Sequence, residues 1–410
     1  MSERHKSTIV SILVVSCIGA ALVSWRIFDA LIVIFALVMM SFYTKDMRKW
    51  IREKRFSGPG KFTNWLIPIW LIAVTLSYAT QQSFGQDQLD DILSFRWMLA
   101  LFLFVWAGTK ITFSKRFLTS VFSSICIFLI AGLLWQFIIL PTISPSVQLD
   151  TRFIGFFHNA NHYGLAVGIL FSFTAGILTL SIVQNASIRT SAAALLISGI
   201  CTFGSQTRSS WLGIGLAILF ILIIFKRNKR ITYPLIACAV VTTLVFAFDI
   251  GPLKSRLLYA FDSSGTSSTG IRMDLWKANI QIFKEHWIFG AGYYENIRLL
   301  PEYFKKLNIN QTFIGHAHNQ YLQVLAGTGI VGFVVYLAFF AKYLRFFWLK
   351  FTQLKDTNSM QISFASILVL ITFLAQSLTE CPFNLREPRS IMIILLGTTY
   401  GYLSKLSPES

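Results

Sequence analysis

Apolar runs long enough to cross a bilayer as helices recur twelve times along this chain. They fall near 7–25, 27–43, 64–80, 92–109, 117–140, 163–184, 190–204, 209–225, 232–250, 319–341, 361–379 and 388–403. The expected fold class is therefore an all-α polytopic membrane protein of about twelve transmembrane helices. A polar stretch at 251–318 is too broken to cross, and it divides the chain into helices one to nine (1–250), a large loop with short helices (251–318) and helices ten to twelve (319–410). A 54% hydrophobic, 13% charged composition with mean hydropathy +0.61 agrees.

The formal net charge of +18 would point to nucleic acid in a soluble chain, but the positions of the charges give another reason. Lys45, Arg48, Lys49, Arg52, Lys54, Arg55 and Lys61 share one set of connections with Lys110, Lys115, Arg116, Arg189, Lys226, Arg227, Lys229, Arg230, Lys342, Arg345, Lys350 and Lys355. The short loops on the opposite side are poor in Lys and Arg, and one of them, QQSFGQDQLDD, is acidic. By the positive-inside rule both termini are expected in the cytoplasm, with the 251–318 loop outside. The basic excess is then a topology signal and an attraction to anionic membrane lipids, and no nucleic-acid partner is expected. The first run lacks a small-residue cleavage site and reads as a span. The five cysteines show no metal-ligand spacing and read as small buried hydrophobes.

Polar residues gather on the outer face. Arg96 lies inside the fourth run near its outer end, a costly position that marks a functional candidate. Arg152, His158, Asn159, Asn161 and His162 crowd the entry to the sixth run; amide side chains both donate and accept, which suits sugar hydroxyls as well as helix capping. Arg208 precedes a helix start in GSQTRSSW, where a guanidinium fork beside free helix N–H groups can hold a phosphate. In the large loop, Ile271, Leu275, Ala278 and Ile282 repeat at helical spacing, so 271–287 is expected to be an amphipathic helix on the membrane body, with Arg272 at its start. His318 and Asn319 open the tenth run. If Asn319 or a neighbour caps that helix, its dipole disfavours imidazolium and keeps His318 a neutral base. His316, two residues earlier, is expected to point elsewhere. Gly327, Gly329 and Gly332 lie inside the run and read as close-packing positions.

The outer loops hold no DxD pair, no HExxH and no paired-carboxylate site, so no metal and no cofactor are expected. Cations with one base suit a donor whose leaving group is a phosphate or pyrophosphate: Arg stabilises the departing charge, and His takes a proton from the attacking hydroxyl. Four segments then carry a family resemblance. They are RFIGFFHNANHYG at 152–164, SQTRSSWLG at 205–213, IRMDLWKANIQIF…WIFGAGYYENI at 271–297, and H-N-x9-G-x-x-G from His318 to Gly332. In this order, with twelve spans and one large loop before the tenth, the chain resembles the O-antigen ligase (WaaL-type) and polymerase (Wzy-type) superfamily.

The resemblance implies an inner-membrane glycosyltransferase with a periplasmic site that moves a glycan from undecaprenyl pyrophosphate without a metal. In ligases the acceptor is lipid A-core oligosaccharide. The motif match gives His318 the base role and puts Arg272 and Arg208 on the pyrophosphate, with Arg152, Arg96, Asn161 and Asn319 as further substrate-binding candidates. A single large loop and this chain length favour ligase over polymerase, and the short C-terminal tail argues against a protein O-oligosaccharyltransferase. A transporter or flippase of lipid-linked sugars fits the span count, but the polar residues sit on one face and not at the midplane. The topology is open to direct measurement: reporter fusions at Lys49, Arg227 and Lys350 should read cytoplasmic and those at Gln86 and Ser264 periplasmic, and an outward signal at Arg227 would undo the twelve-span order.

Overall fold

The computed structural model describes residues 1–52, 61–79, 86–144, 151–248, 254, 258 and 267–406, with the side chains of 45–52, 61–65, 96, 241, 245 and 246 outside that description. Lys54, Arg55 and most of FDSSGTSSTG also lie outside it. Among the described residues the regular structure is all helical. Helices cover each of the twelve apolar runs, and eight of them are long and apolar enough to cross a membrane. The remaining four runs form Lys61–Ala79, Arg189–Gly204, Lys229–Ala247 and Arg386–Ser404. The first and third of these carry a proline inside, Pro68 and Pro234, and the second has only 16 residues.

At the centre stand Ala160–Val183 and Thr357–Gln376, the two most buried of the eight spans. Small residues let their backbones close: a Cβ on Gly176 would sit 2.5 Å from the Ala365 Cα. Ser172 and Thr372 hydroxyls meet across the pair at 2.6 Å, satisfying each other where no water is at hand. Arg386–Ser404 packs on this pair and on Met98–Lys110, where a Cβ on Gly401 would overlap the Val105 carbonyl.

One helix runs on well past the apolar signal. Gln320–Gln353 continues twelve residues beyond the expected end at 341, so Lys342, Arg345 and Lys350 lie on a helix and not in a connection. A helix leaving the bilayer keeps its internal hydrogen bonds, and charged side chains then simply solvate its end. Lys350 is instead buried, its Nζ donating to the Leu406 carbonyl just past Arg386–Ser404 at 2.5 Å. Cys238 also departs from expectation, being exposed on its helix, whereas Cys17, Cys201 and Cys381 are buried.

The loop before the tenth run holds the amphipathic helix as Ser268–Glu285, capped by the Ser267 hydroxyl. Leu275, Ala278 and Ile282 are fully buried against Ala326 of the long helix and against Leu300, Tyr303 and Phe304 of the short helix Leu300–Lys306. Arg298 ties this loop to Asp91 of the helix Gln86–Leu93 at 2.8 Å.

The long helix is broken where the glycines stand. Gly329 has φ +60 and ψ −166, and the turn after Ser268–Glu285 inserts there. Ala291 and Gly292 N–H groups donate to the Ala326 and Gly327 carbonyls, while Ile330 and Val331 N–H groups donate to Trp287 and Ile288. Gly327 and Gly329 thus do serve close approach, but of a turn and not of another helix. A Cβ on Gly329 would lie 2.3 Å from the Ile288 oxygen. Gly329→Ala combines a left-handed backbone with that overlap; it should cost at least about 1–3 kcal/mol, read as a lowered unfolding temperature in detergent, and an unchanged temperature would refute this docking.

Candidate functional site around Glu380

Asn319 is the N-cap of Gln320–Gln353: its Oδ1 accepts from Leu322 N–H at 3.1 Å, and its Nδ2 donates to the Leu378 carbonyl at 3.1 Å. Both ends of this amide serve the helix start and the neighbouring turn. His318 precedes the cap with φ +47, a left-handed conformation that a histidine adopts at a cost. The loop around it is pinned. Trp276 Nε1 donates to the Ala317 carbonyl at 2.9 Å, and Ala317 N–H donates to Gln323 Oε1 at 3.0 Å. The amphipathic helix thereby holds the histidine loop from above.

His318 Nδ1 meets Glu380 Oε2 at 2.9 Å, and Arg272 Nη2 donates to the other oxygen, Oε1, at 2.5 Å. Glu380 is 2% exposed, in the turn that links Thr357–Gln376 to Arg386–Ser404. Burial raises its carboxyl pKa, but the hydrogen bond from His318 and the charges of His318 and Arg272 outweigh burial and bring it to about 2. A carboxylate accepting at Nδ1 fixes the imidazole tautomer and leaves Nε2 as the basic nitrogen.

His316 does not point elsewhere. Its ring centroid lies 4.2 Å from that of His318, and its Nδ1 accepts the His318 backbone N–H at 3.2 Å. Burial, then the charge of His318, brings its pKa down to about 4, so at neutral pH it is the uncharged acceptor this bond needs. His316, His318 and Glu380 offer ligand atoms within 4.8 Å of one another, a spacing that a cation can bridge. The Arg272 guanidinium already supplies positive charge to that carboxylate, so the donor set favours an ion pair over a metal ion.

Arg208 begins the helix Arg208–Phe225, and its Nη2 donates to the Ser268 hydroxyl at 2.8 Å. Ser268 and Arg272 are one turn apart on a helix and share a face, so Arg208 is gathered to the side that carries Arg272. Arg152 stands behind. Its Nε donates to the Ser205 carbonyl at 2.8 Å and its Nη2 to Asn161 Oδ1 at 2.7 Å. Thr207 donates to the Ala160 carbonyl at 2.9 Å. Arg152 and Asn161 therefore brace the 205–207 turn that presents Arg208. Arg96 lies in the 3-10 turn Ser94–Trp97, its side chain outside the described residues. His162 pairs with Glu387 at 3.1 Å.

Both Glu380 and His316 titrate below their ordinary values. Folded stability from them is complete above the unfolded pKa and is lost on acidification, through 6.5 toward about 4 for His316 and through 4.5 toward about 2 for Glu380. The unfolding temperature in detergent should fall as pH drops below 6.5, and His316→Asn should remove the upper part of that fall. An identical pH profile in the variant would refute the burial of neutral His316.

Comparison with known proteins bears on this segment. Residues 193–337 match the family model described as O-antigen ligase. An uncharacterised protein of Haemophilus influenzae is 28% identical over 154 residues, covering 34% of this chain and 39% of that relative's length. The matched family segment contains Arg208, Arg272 and His318, whereas Arg152, Asn161 and Glu380 lie outside it. That match, over about a third of the chain, supports membership in the O-antigen ligase/polymerase superfamily.

Proposed function

We propose that the chain is a metal-independent glycosyltransferase that ligates O-antigen glycan from undecaprenyl pyrophosphate onto lipid A-core oligosaccharide, at the periplasmic face of the bacterial inner membrane. The observation that carries this reading is the Arg272–Glu380–His318 chain, set beside the helix face that gathers Arg208. His318 Nε2 accepts the proton of the acceptor hydroxyl as that oxygen bonds to the anomeric carbon. The bond from that carbon to the pyrophosphate breaks, and undecaprenyl pyrophosphate leaves with the electron pair. Glu380 holds the imidazole and steadies its protonated form. Arg272 has five N–H donors in a fixed fork, and its bond to Glu380 uses one of them, so the guanidinium can also face the pyrophosphate. Arg208 adds a second cation at a helix N-terminus.

His318→Ala should reduce transfer by about 10²–10⁴-fold while the protein still inserts and binds donor. Cells carrying it should show truncated lipopolysaccharide and accumulate polymeric glycan on the lipid carrier. Wild-type lipopolysaccharide ladders in that strain would end the base assignment, and core bearing a single repeat unit would make the chain a polymerase. A flippase would form no product from purified donor and acceptor in detergent.

A further inference from the structure

Away from His318, a groove of about 490 Å³ runs between the helices Trp25–Arg52, Met98–Lys110 and Arg386–Ser404. None of Arg208, Arg272, His318 or Glu380 lines it. Its walls are apolar, with Phe28, Ile32 and Leu103 among them, and Val33 and Leu99 continue them onto an exposed face, 60% and 69% accessible. Its head is cationic. Arg386 lies 4.3 Å over the Trp25 ring and Arg389 lies 4.6 Å over the Trp97 ring. Arg389 is 9% exposed and donates to the Phe383 carbonyl at 3.1 Å. The Asn384 amide shares this head: its Oδ1 accepts from the Tyr293 hydroxyl, and its buried Nδ2 has no hydrogen-bond partner. Among the described residues one carboxylate, Asp29, lines the groove against these two guanidiniums.

We propose that this groove binds an anionic phospholipid of the surrounding bilayer, its phosphate at Arg386, Arg389 and the Asn384 amide and its acyl chain along the apolar wall. Three features argue for such an occupant. Two guanidiniums against Asp29 give the groove lining a net positive charge, and the neighbouring Glu387 is turned to His162. An orphaned buried N–H, which costs free energy until it finds an acceptor, asks for an oxygen. Tryptophan faces hold both guanidiniums in place, as at a membrane interface. A bilayer lipid fits better than the reacting donor, because the phosphate of a donor has to lie at the cations beside His318. The head of the groove and the reacting site share the segment 380–389, the turn bearing Glu380 and the first residues of Arg386–Ser404, and Gln320, Tyr293 and Asn384 join them by hydrogen bonds. Lipid in the groove would steady the turn that carries Glu380.

The test uses the full chain purified in detergent, titrated with phosphatidylglycerol or with phosphatidylcholine of the same acyl chains. Native mass spectrometry should show phosphatidylglycerol retained in preference, with a raised unfolding temperature. Arg386 is solvent-exposed, so Arg386→Gln should fold, and it should weaken phosphatidylglycerol binding about fivefold, the worth of one cation near an anionic headgroup. Arg26→Gln serves as control: Arg26 also lies over Trp25, at 5.3 Å, but does not line the groove, and its loss should leave binding unchanged. Equal retention of the two lipids would overturn the proposal, as would equal binding by Arg386→Gln. Displacement of phosphatidylglycerol by undecaprenyl phosphate at much lower concentration would reassign the groove to the donor and overturn it too.

Discussion

A carboxylate buried to 2% exposure is the constraint on which the site depends. An unpaired charge there would cost many kcal/mol or would be lost to protonation. Glu380 stays ionised because Arg272 and His318 each take one of its oxygens. Those partners come from a helix 108 residues earlier and a loop 62 residues earlier, so the ion pairs form only when three distant segments are brought into register. Everything that fixes those segments therefore serves the charge as well.

Backbone contacts do most of that fixing. The turn after Ser268–Glu285 enters the break in Gln320–Gln353 and exchanges hydrogen bonds with it on both sides of Gly329. The two helices are thereby joined as one unit, with Trp276 reaching from one to the loop that starts the other. Arg272 and His318 inherit that rigidity. The turn bearing Glu380 is tied in from the opposite side, by Gln320 N–H donating to the Ser377 carbonyl at 2.8 Å and Phe383 N–H donating to Gln320 Oε1 at 3.1 Å. Side chains held by several elements are what a site needs to keep catalytic groups within a fraction of an ångström.

Much of this is legible in the sequence, and the reasons for the rest are physical. Apolar runs fix helix existence because the bilayer leaves the backbone no other partner, and the stripe Leu275, Ala278, Ile282 fixes which face is buried. Asn319 as a cap, with His318 just before it, follows from local chemistry. Glu380 does not. It is a lone acid in SLTECPF, and its meaning comes only from partners far along the chain; its one sequence signal is to be an acid in the short connection between the last two apolar runs. Arg152 and Asn161 show as polar residues near the site, but sequence does not tell a brace from a ligand, and their bonds run to the 205–207 turn and to each other. His316 departs from expectation because it stands before the helix that starts at Gln320, in a non-helical stretch where residues two apart can share a face.

The same triad explains how an anionic donor could be accepted beside a carboxylate. Glu380 alone would repel a pyrophosphate, yet it is also what holds Arg272 and His318 in place. Arg272 cancels its charge, and Arg208 on the neighbouring helix end leaves the face positive by one unit before His318 changes state. In the proposed reaction the proton that His318 gains adds a second positive unit as the leaving group gains negative charge. The site would thus grow more positive at the moment when the pyrophosphate most requires it, without any group having to move. Preorganised charge of this kind supplies much of the rate enhancement in many enzymes, and here one buried acid orients a cation and a base while Ser268 holds the second cation.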